Sequence, residues 1–405
     1  MNHSGEWNGS GALNGSGASN GALNGSGASN GALNGSGASN GSGALNGSGA
    51  TNAHGHRPPR YTVVIPTVGR PCLTNCLRAL AAATGPGPVR VVVVDDRRGA
   101  PRTPLPVEIP ATLRPVTSVV PGRARGPAAA RNTGLRVAGP VPWIVFLDDD
   151  VVPGPSWCED LARDLAGAGH RTGGVTARID VPLPTDRAPT DWERNTAGLA
   201  TARWITADMA YRREVLEAVG GFDERFPRAF REDADLALRV QAAGWDLVAG
   251  TRTTTHPVRP AGRWVSVRVQ AGNADDVLMN RLHGRDWWRR ADAPRGRLPR
   301  HFAVTAAGAA ALSCAALARP VAATACAALW LAGTAEFAWA RIAPGPRTRD
   351  EIVSMAVTSA VIPPVAVWHW LGAQLRHRAA PPLRPSGTAV APGSPERPPR
   401  EAVLP

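Results

Sequence analysis

From residue 61 onward the apolar positions switch between two spacings, and the switches divide the chain into elements. Residues 61–66 (Tyr-Thr-Val-Val-Ile-Pro) read as a first strand, and the nearly all-apolar run at 89–94 as a strand covered on both faces. Pro71 suits a first helical position, and Leu73, Cys76, Leu77 and Leu80 make an apolar stripe behind it. Gly and Pro at 85–88 break the chain before a second run at 89–94. That β-α-β order predicts parallel pairing with a right-handed crossover. A third strand is expected over 116–120, a helix over 127–137 and a buried strand over 144–147. Ser156 is placed to cap the next helix, which carries Trp157, Leu161 and Leu165 inward and stops near Gly167. Next come a strand at 173–181, a strand or extended segment at 204–211 and a short helix at 212–219, closed by a left-handed cap at Gly220 and Gly221. A strongly helical run at 232–243 follows. The predicted class is α/β.

Past His256 the pattern changes. Residues 281–300 are studded with Arg and contain Trp287 and Trp288; apolar runs follow at 302–318, 321–340 and 352–375. Each is near the roughly 20 residues that span a bilayer. Flanking Arg and Trp match a membrane's basic and aromatic borders, so membrane association is expected, with a soluble helical subdomain as the alternative. Glu336 interrupts the second run, unusual for a span. At the other end, residues 11–40 repeat one decapeptide three times; too few apolar side chains lie there to offset the ordering entropy of a solenoid. The expected organisation is a flexible tail at 1–58, an α/β domain at 59–260, a basic connecting segment at 261–300, hydrophobic helices at 301–376 and a Pro-rich tail at 377–405.

The net charge of +13 comes from Arg alone, since the chain has no Lys, which reads as codon bias in a GC-rich genome and weakens any inference from Arg count to nucleic acid. A basic surface still suits nucleotide diphosphates or acidic lipid heads. There is no aromatic-interleaved basic motif, so nucleic acid is not expected as a partner. The five cysteines form no CxxC pair and have no His partners at zinc spacing, which fits a reducing compartment. No signal peptide is expected at the N-terminus.

Carboxylates stand at three places where chemistry is expected. Asp148, Asp149 and Asp150 close the strand at 144–147, and ligands of open α/β sheets bind outside the carboxyl ends of strands. Three adjacent acids there suit Mg²⁺ or Mn²⁺ with positions open for substrate phosphates, or else an Asp-rich turn. Asp95 and Asp96 end the second run, and Glu232 and Asp233 open the helix at 232–243, where acids also complement the helix dipole. No GxGxxG follows the first strand and no GxxxxGK[ST] occurs, which disfavours a dinucleotide-binding dehydrogenase and a P-loop ATPase.

Six segments in order resemble the family-2 glycosyltransferases with the GT-A fold. They are Val-Ile-Pro-Thr in the first strand, Val-Val-Asp-Asp in the second, Ala-Ala-Arg-Asn-Thr-Gly-Leu at 129–135, Phe-Leu-Asp-Asp-Asp at 146–150, Gly-Gly-Phe-Asp-Glu at 220–224 and Arg-Glu-Asp-Ala-Asp-Leu-Ala-Leu-Arg at 231–239. The resemblance covers roughly residues 61–256. It implies a Rossmann-like, mostly parallel sheet with helices on both faces, and sugar transfer from a nucleotide-diphosphate donor to an acceptor hydroxyl with inversion. It places Pro66, Thr67, Arg70, Asp95, Asp96, Arg131, Asp148 and Asp149 at the nucleotide sugar. A carboxylate there would accept N–H groups from a uracil or guanine edge. Asp148 and Asp150 match the metal-binding Asp-x-Asp positions, and His256 stands where some such enzymes have a further metal ligand, a loop role being the alternative. Asp233 matches the base, with Glu232 beside it as the second catalytic candidate. Trp204, Asp208, Gly221, Phe222 and Asp223 fall on the acceptor side, although Trp204 suits plain core equally. Asp208 departs from the Asn that the family often has there.

The implied cofactor is a divalent metal, Mg²⁺ or Mn²⁺. The implied partners are a nucleotide-diphosphate sugar and a glycan or lipid-linked acceptor for the cell envelope. The expected location is the cell membrane, with the catalytic domain cytoplasmic. A nucleotidyltransferase, or a non-catalytic sugar-nucleotide or glycan binding protein at the membrane, is the competing reading.

Overall fold

A computed structural model describes residues 58–99 and 103–381. The predicted repeat tail and most of the Pro-rich tail lie outside the described residues. From Pro59 onward the described chain belongs to one compact unit.

Eight strands form one sheet: β1 (Tyr61–Thr67), β2 (Arg90–Asp95), β3 (Thr117–Pro121), β4 (Trp143–Leu147), β5 (Val152–Pro153), β6 (Thr172–Asp180), β7 (Asp208–Arg212) and β8 (Asp246–Thr255). Their order is β3-β2-β1-β4-β7-β6-β8-β5. The first four are parallel, and so is the β6–β8 pair; β7 runs antiparallel to both β4 and β6, and β5 antiparallel to β8. The helices are α1 (Cys72–Ala82), α2 (Pro127–Val137), α3 (Trp157–Ala166), α4 (Asp191–Ala197), α5 (Arg213–Ala218) and α6 (Glu232–Ala242). They continue as α7 (Val265–Arg268), α8 (Asn273–His283), α9 (Trp287–Arg290), α10 (Leu298–Ala316), α11 (Pro320–Ile342) and α12 (Arg349–Arg376).

Alternation along the central strands explains why both sheet faces are covered. Val63 and Ile65 of β1, with Val145 and Leu147 of β4, face one cluster that includes Leu77 of α1 and Leu161 of α3. Val64 of β1 and Phe146 of β4 face the other, with Ala130 of α2, Leu216 of α5 and Leu236 of α6. Successive side chains of a strand point to opposite faces, so an all-apolar strand belongs in a sandwich of helices. Helices thus cover both faces as the GT-A expectation has it, and the sheet expected to be mostly parallel is mixed, with antiparallel β7 and β5.

Three local expectations changed. Residues 204–207 are not strand; Trp204 takes a left-handed φ of 59°, and β7 begins only at Asp208. Ser156 does not cap the α3 backbone but donates its hydroxyl to Asp160 Oδ2 at 2.6 Å. The two-residue β5, invisible to periodicity, pairs with the end of β8 and brings Asp150 and Val151 toward residues after Thr255.

Each C-terminal apolar run lies in a helix, α10, α11 or α12. Of these, α11 and α12 are long and apolar enough to cross a membrane, with mean hydropathy 1.4 and 1.5 in their best windows. Arg341 of α11 is buried and pins these helices to the rest. It donates to Thr358 Oγ1 (2.8 Å) and Ser359 Oγ (3.0 Å) in α12, Asp191 Oδ2 (2.8 Å) in α4 and Ser266 Oγ (2.9 Å) in α7.

Candidate active site

The carboxyl ends of β1, β2 and β4 lie side by side, because Thr67 pairs with Asp95 across one strand boundary and Val64 with Phe146 across the other. Pro66 sits buried in β1 opposite Val94. Thr67 donates its hydroxyl to Asp149 Oδ2 at 2.6 Å, and Arg70 donates to Asp149 Oδ1 at 2.7 Å. Burial pushes the Asp149 carboxyl up to about 6 against the pull of Arg70, and the neighbouring Asp150 adds to the rise. Arg70 Nε and Nη2 are buried with no hydrogen-bond partner among the described residues.

The second-strand acids are already engaged. Asp95 accepts from Arg97 Nε (2.8 Å) and Nη2 (2.6 Å). Asp96 accepts backbone N–H groups of Arg123 (3.0 Å), Ala124 (2.7 Å) and Gly126 (2.9 Å), so its carboxylate shapes the loop entering α2. Gly122 belongs to that loop by necessity, since a Cβ there would stand 2.4 Å from Asp96 Oδ1. Desolvation raises the Asp96 pKa, and the backbone donors hold it down in part.

Arg131 joins the two halves of the site. It is fully buried on α2, donating Nη2 to Asp148 Oδ1 at 2.7 Å and Nη1 to Glu232 Oε1 at 2.8 Å, above the Phe222 ring at 5.5 Å. Its guanidinium is held charged by both acids. Glu232 is pushed up to about 8, first by burial and then by the Asp233 charge, with Arg131 opposing. Asp233 is raised as well, chiefly by burial, while its own helix donates the Ala234 N–H at 2.8 Å. Two adjacent buried acids at the start of α6 are the arrangement that tunes a carboxylate toward general-base work. Arg231 immediately before them has a left-handed φ of 73°.

Asp150 pairs with Arg259 Nε at 2.9 Å, and its Oδ1 lies 3.6 Å from His256 Nε2. His256 is buried; its Nδ1 is 3.3 Å from the Pro257 carbonyl, and Nε2 has no hydrogen bond among the described residues. An Nδ1–H directed at that carbonyl leaves Nε2 as a lone-pair donor, the form that ligates metal. Among the described residues no three His, Cys, Asp or Glu side chains converge as a metal cage. Asp148, Arg131, Glu232, Asp233 and His256 line one cleft, together with Thr206 and Ala207.

The acceptor-side residues expected from sequence do not line this cleft. Asp208 is fully buried in β7, accepting from Trp157 Nε1 (2.6 Å), Thr254 Oγ1 (2.6 Å) and Arg252 Nε (2.9 Å). Asp223 is buried against Arg225, with Nη2 to Oδ2 at 2.6 Å. Trp204 and Phe222 belong to the apolar cluster beneath the site. Gly221 has φ 69° and a Cβ there would meet Asn132 Oδ1 at 2.6 Å; Asn132 clamps the next residue through its backbone N–H and carbonyl. Sequence reasoning missed Arg259, Arg97, Thr206 and Ala207. Only charge marked the arginines, and the late start of β7, with Asp148 N–H donating to Ala207 O at 3.1 Å, placed the other two.

Residues 62–219 match the family model Glycosyl transferase family 2. This segment is a family-2 glycosyltransferase domain. The match ends before Glu232, Asp233 and His256. The chain is 26% identical over 223 residues to the O-antigen biosynthesis protein RfbC of Myxococcus xanthus, covering 48% of this chain and 17% of that one. It is 29% identical over 196 residues to the pre-mycofactocin glycosyltransferase of Mycobacterium tuberculosis, covering 45% of this chain and 39% of the relative. The chain thus spans well under half the length of these curated relatives. Among solved structures, the mannosyltransferase PcManGT from Pyrobaculum calidifontis in complex with GDP-Man and Mn²⁺ superposes with TM-score 0.41 at 20% identity, over 79% of this chain and 87% of that one. GalNAc-T7 with UDP, GalNAc and Mn²⁺ superposes with TM-score 0.38 at 16% identity, over 58% and 55% of the two chains. Superposition at that level speaks to neither substrate nor metal.

Proposed function

We propose that the chain is an inverting glycosyltransferase at a membrane, moving a sugar from a nucleotide-diphosphate donor to an acceptor hydroxyl in glycan or glycolipid assembly. One observation carries this reading: the donor-end acid Asp148 and the paired acids Glu232 and Asp233 face one cleft, bridged by Arg131. The relatives named for O-antigen biosynthesis and for a glycosyltransferase support the class.

Asp233 is the base. As the acceptor oxygen forms its bond to the anomeric carbon, Asp233 takes the hydroxyl proton, and the bond from that carbon to the diphosphate oxygen breaks. Burial raises the Asp233 pKa, which strengthens it as a base. Charge on the departing diphosphate is met by the spare Nε and Nη2 donors of Arg70. Asp150 and His256 fit a divalent cation, since Oδ1 and Nε2 lie 3.6 Å apart and Nε2 has no hydrogen bond among the described residues. A carboxylate plus substrate phosphates is the ordinary habit of Mg²⁺, whereas the imidazole favours a softer divalent ion. Bound there, the ion supplies Lewis-acid neutralisation of the leaving diphosphate. The Arg-rich stretch at 281–300, directly before α10, supports a cytoplasmic catalytic side.

The test is product analysis with a panel of nucleotide sugars, with divalent metal and with chelator. Release of nucleoside diphosphate, lost in Asp233→Ala and Asp150→Ala, is expected. Pyrophosphate release from a nucleoside triphosphate would make the protein a nucleotidyltransferase, and full transfer by both variants would sink the mechanism.

A further inference from the structure

The segment that carries the base is held from outside the acid cleft. Ala229, Glu232 and Asp233 line the cleft. Their neighbours Arg228, Phe230 and Arg231 are engaged by α8, α9 and the turn before α8 instead. Arg228 donates Nε and Nη2 to the two oxygens of the buried Asp275, each at 2.9 Å. Phe230 packs on the backbone at Gly272, where a Cβ would stand 2.8 Å from the ring. Arg231 donates Nε to Asp276 Oδ1 at 2.8 Å, and its guanidinium lies over two rings, Phe230 at 4.3 Å and Trp287 at 4.7 Å. Beyond the base, Asp235 Oδ1 stands 2.7 Å from Nε2 of His283, at the end of α8. These contacts bracket Glu232 and Asp233 on both sides along the chain.

Arg231 is the strained point of this arrangement. Its φ of 73° with ψ of −15° is left-handed, a conformation that a residue with a Cβ keeps only where its surroundings impose it. Glycine would enter it freely, yet the residue that turns the chain into α6 is an arginine. Its side chain is 7% exposed, and two cation–π contacts and an ion pair anchor it. Trp287 is fixed in turn, its Nε1 donating to Asn280 Oδ1 of α8 at 3.2 Å. The Arg231 carbonyl accepts the Asp235 N–H at 2.8 Å, which closes the first turn of α6 around Glu232 and Asp233. Arg231 is not among the residues lining the cleft, so its influence on the base runs through the backbone and through its charge.

We propose that Arg231 is a positioning residue for the transfer: anchored by Phe230, Trp287 and Asp276, it fixes the left-handed entry to α6 and thereby aims the Asp233 carboxylate at the acceptor hydroxyl. This rests on the reading of Asp233 as the base. A base displaced by about 1 Å costs up to about 100-fold in rate without loosening the donor, because Arg70, Asp148 and Asp149 stand on other elements.

The test measures nucleoside diphosphate release by the full chain in mild detergent, with UDP-glucose and GDP-mannose as donors and Mn²⁺ present, corrected for the folded fraction. Arg231→Gly allows the same φ but deletes the anchor, and kcat should fall about tenfold or more with donor KM and the Kd for UDP or GDP within about twofold of wild type. Arg231→Lys keeps the charge and loses the planar group that lies over the rings, so it should recover little of that loss. Full recovery in Arg231→Lys would assign the effect to charge and overturn the positioning role, as would wild-type kcat in Arg231→Gly or a loss confined to KM. Should Arg231→Gly not fold, Trp287→Leu and Asp276→Asn carry the question, each removing one group that holds the guanidinium; kcat should drop about threefold or more in both, and wild-type kcat in both would overturn the proposal. Asp233→Ala separates the two readings. Full release by Asp233→Ala would remove the base assignment and this inference with it, whereas loss in Asp233→Ala beside wild-type kcat in Arg231→Gly would sink this inference alone.

Discussion

Removing the Arg131 guanidinium tests the bridge between the donor half and the base half directly. Arg131→Met keeps the volume and deletes the charge. The side chain is 1% exposed and answers two buried acids, Asp148 and Glu232, at 2.7 and 2.8 Å. Breaking a buried ion pair by deleting one partner costs about 3–5 kcal/mol, because the remaining charge is left uncompensated. The lost cation–π contact with Phe222 adds about 0.5–2 kcal/mol. A domain has only about 5–15 kcal/mol to lose. Denaturant unfolding of the full chain in mild detergent, across a pH series, should show this loss at neutral pH. Glu232, pushed up to about 8, keeps its proton at neutral pH, so the loss falls on the Asp148 contact and should shrink on acidification. In the double variant with Glu232→Gln, the coupling energy should be about 1–3 kcal/mol. A cost below about 1 kcal/mol, or one unchanged by acid, would refute the view of Arg131 as the charge that holds the halves together.

Three further outcomes follow from the same packing. Asp208→Ala should destabilise by about 3–5 kcal/mol, because it strands buried Arg252, yet leave acceptor KM unchanged in the folded fraction; a selective rise in acceptor KM would return Asp208 to the acceptor site. Gly221→Ala should cost about 1–3 kcal/mol in chemical denaturation, since φ is 69° and Asn132 blocks the Cβ; an unmoved midpoint would remove that reason for glycine. Glu232 sits near 8 in the folded chain against 4.5 unfolded, so the native state keeps a proton that the unfolded state releases between these values. Stability should therefore fall as pH rises through that window, and Glu232→Gln should flatten the metal-free profile; an identical profile in the variant would show that Glu232 does not titrate there.

Much of the fold was legible because local apolar spacing and burial coincide in the central strands. β1, β2 and β4 are short apolar runs, and each emerged as a fully or nearly fully buried strand with acids or polar groups at its carboxyl end. The stripe of α1 and the Gly that stop α3 and α5 were equally local. What spacing could not supply was partnership. Asp148, Asp150, Asp208 and Asp223 look alike in sequence, but Asp148 meets Arg131 from α2 and Asp150 meets Arg259 from beyond β8. Asp208 is enclosed by Trp157, Arg252 and Thr254, and Asp223 turns to Arg225 two residues away.

The chain by itself therefore determined the central strands, the helices that flank them and the acids at the strand ends, since each depends on side chains a few residues apart. Only the tertiary structure decided which acids face a cleft and which are sealed in the core. A carboxylate's role is set by the cation or donor that reaches it, and at the cleft such a partner comes from 109 positions away, as with Arg259 on Asp150.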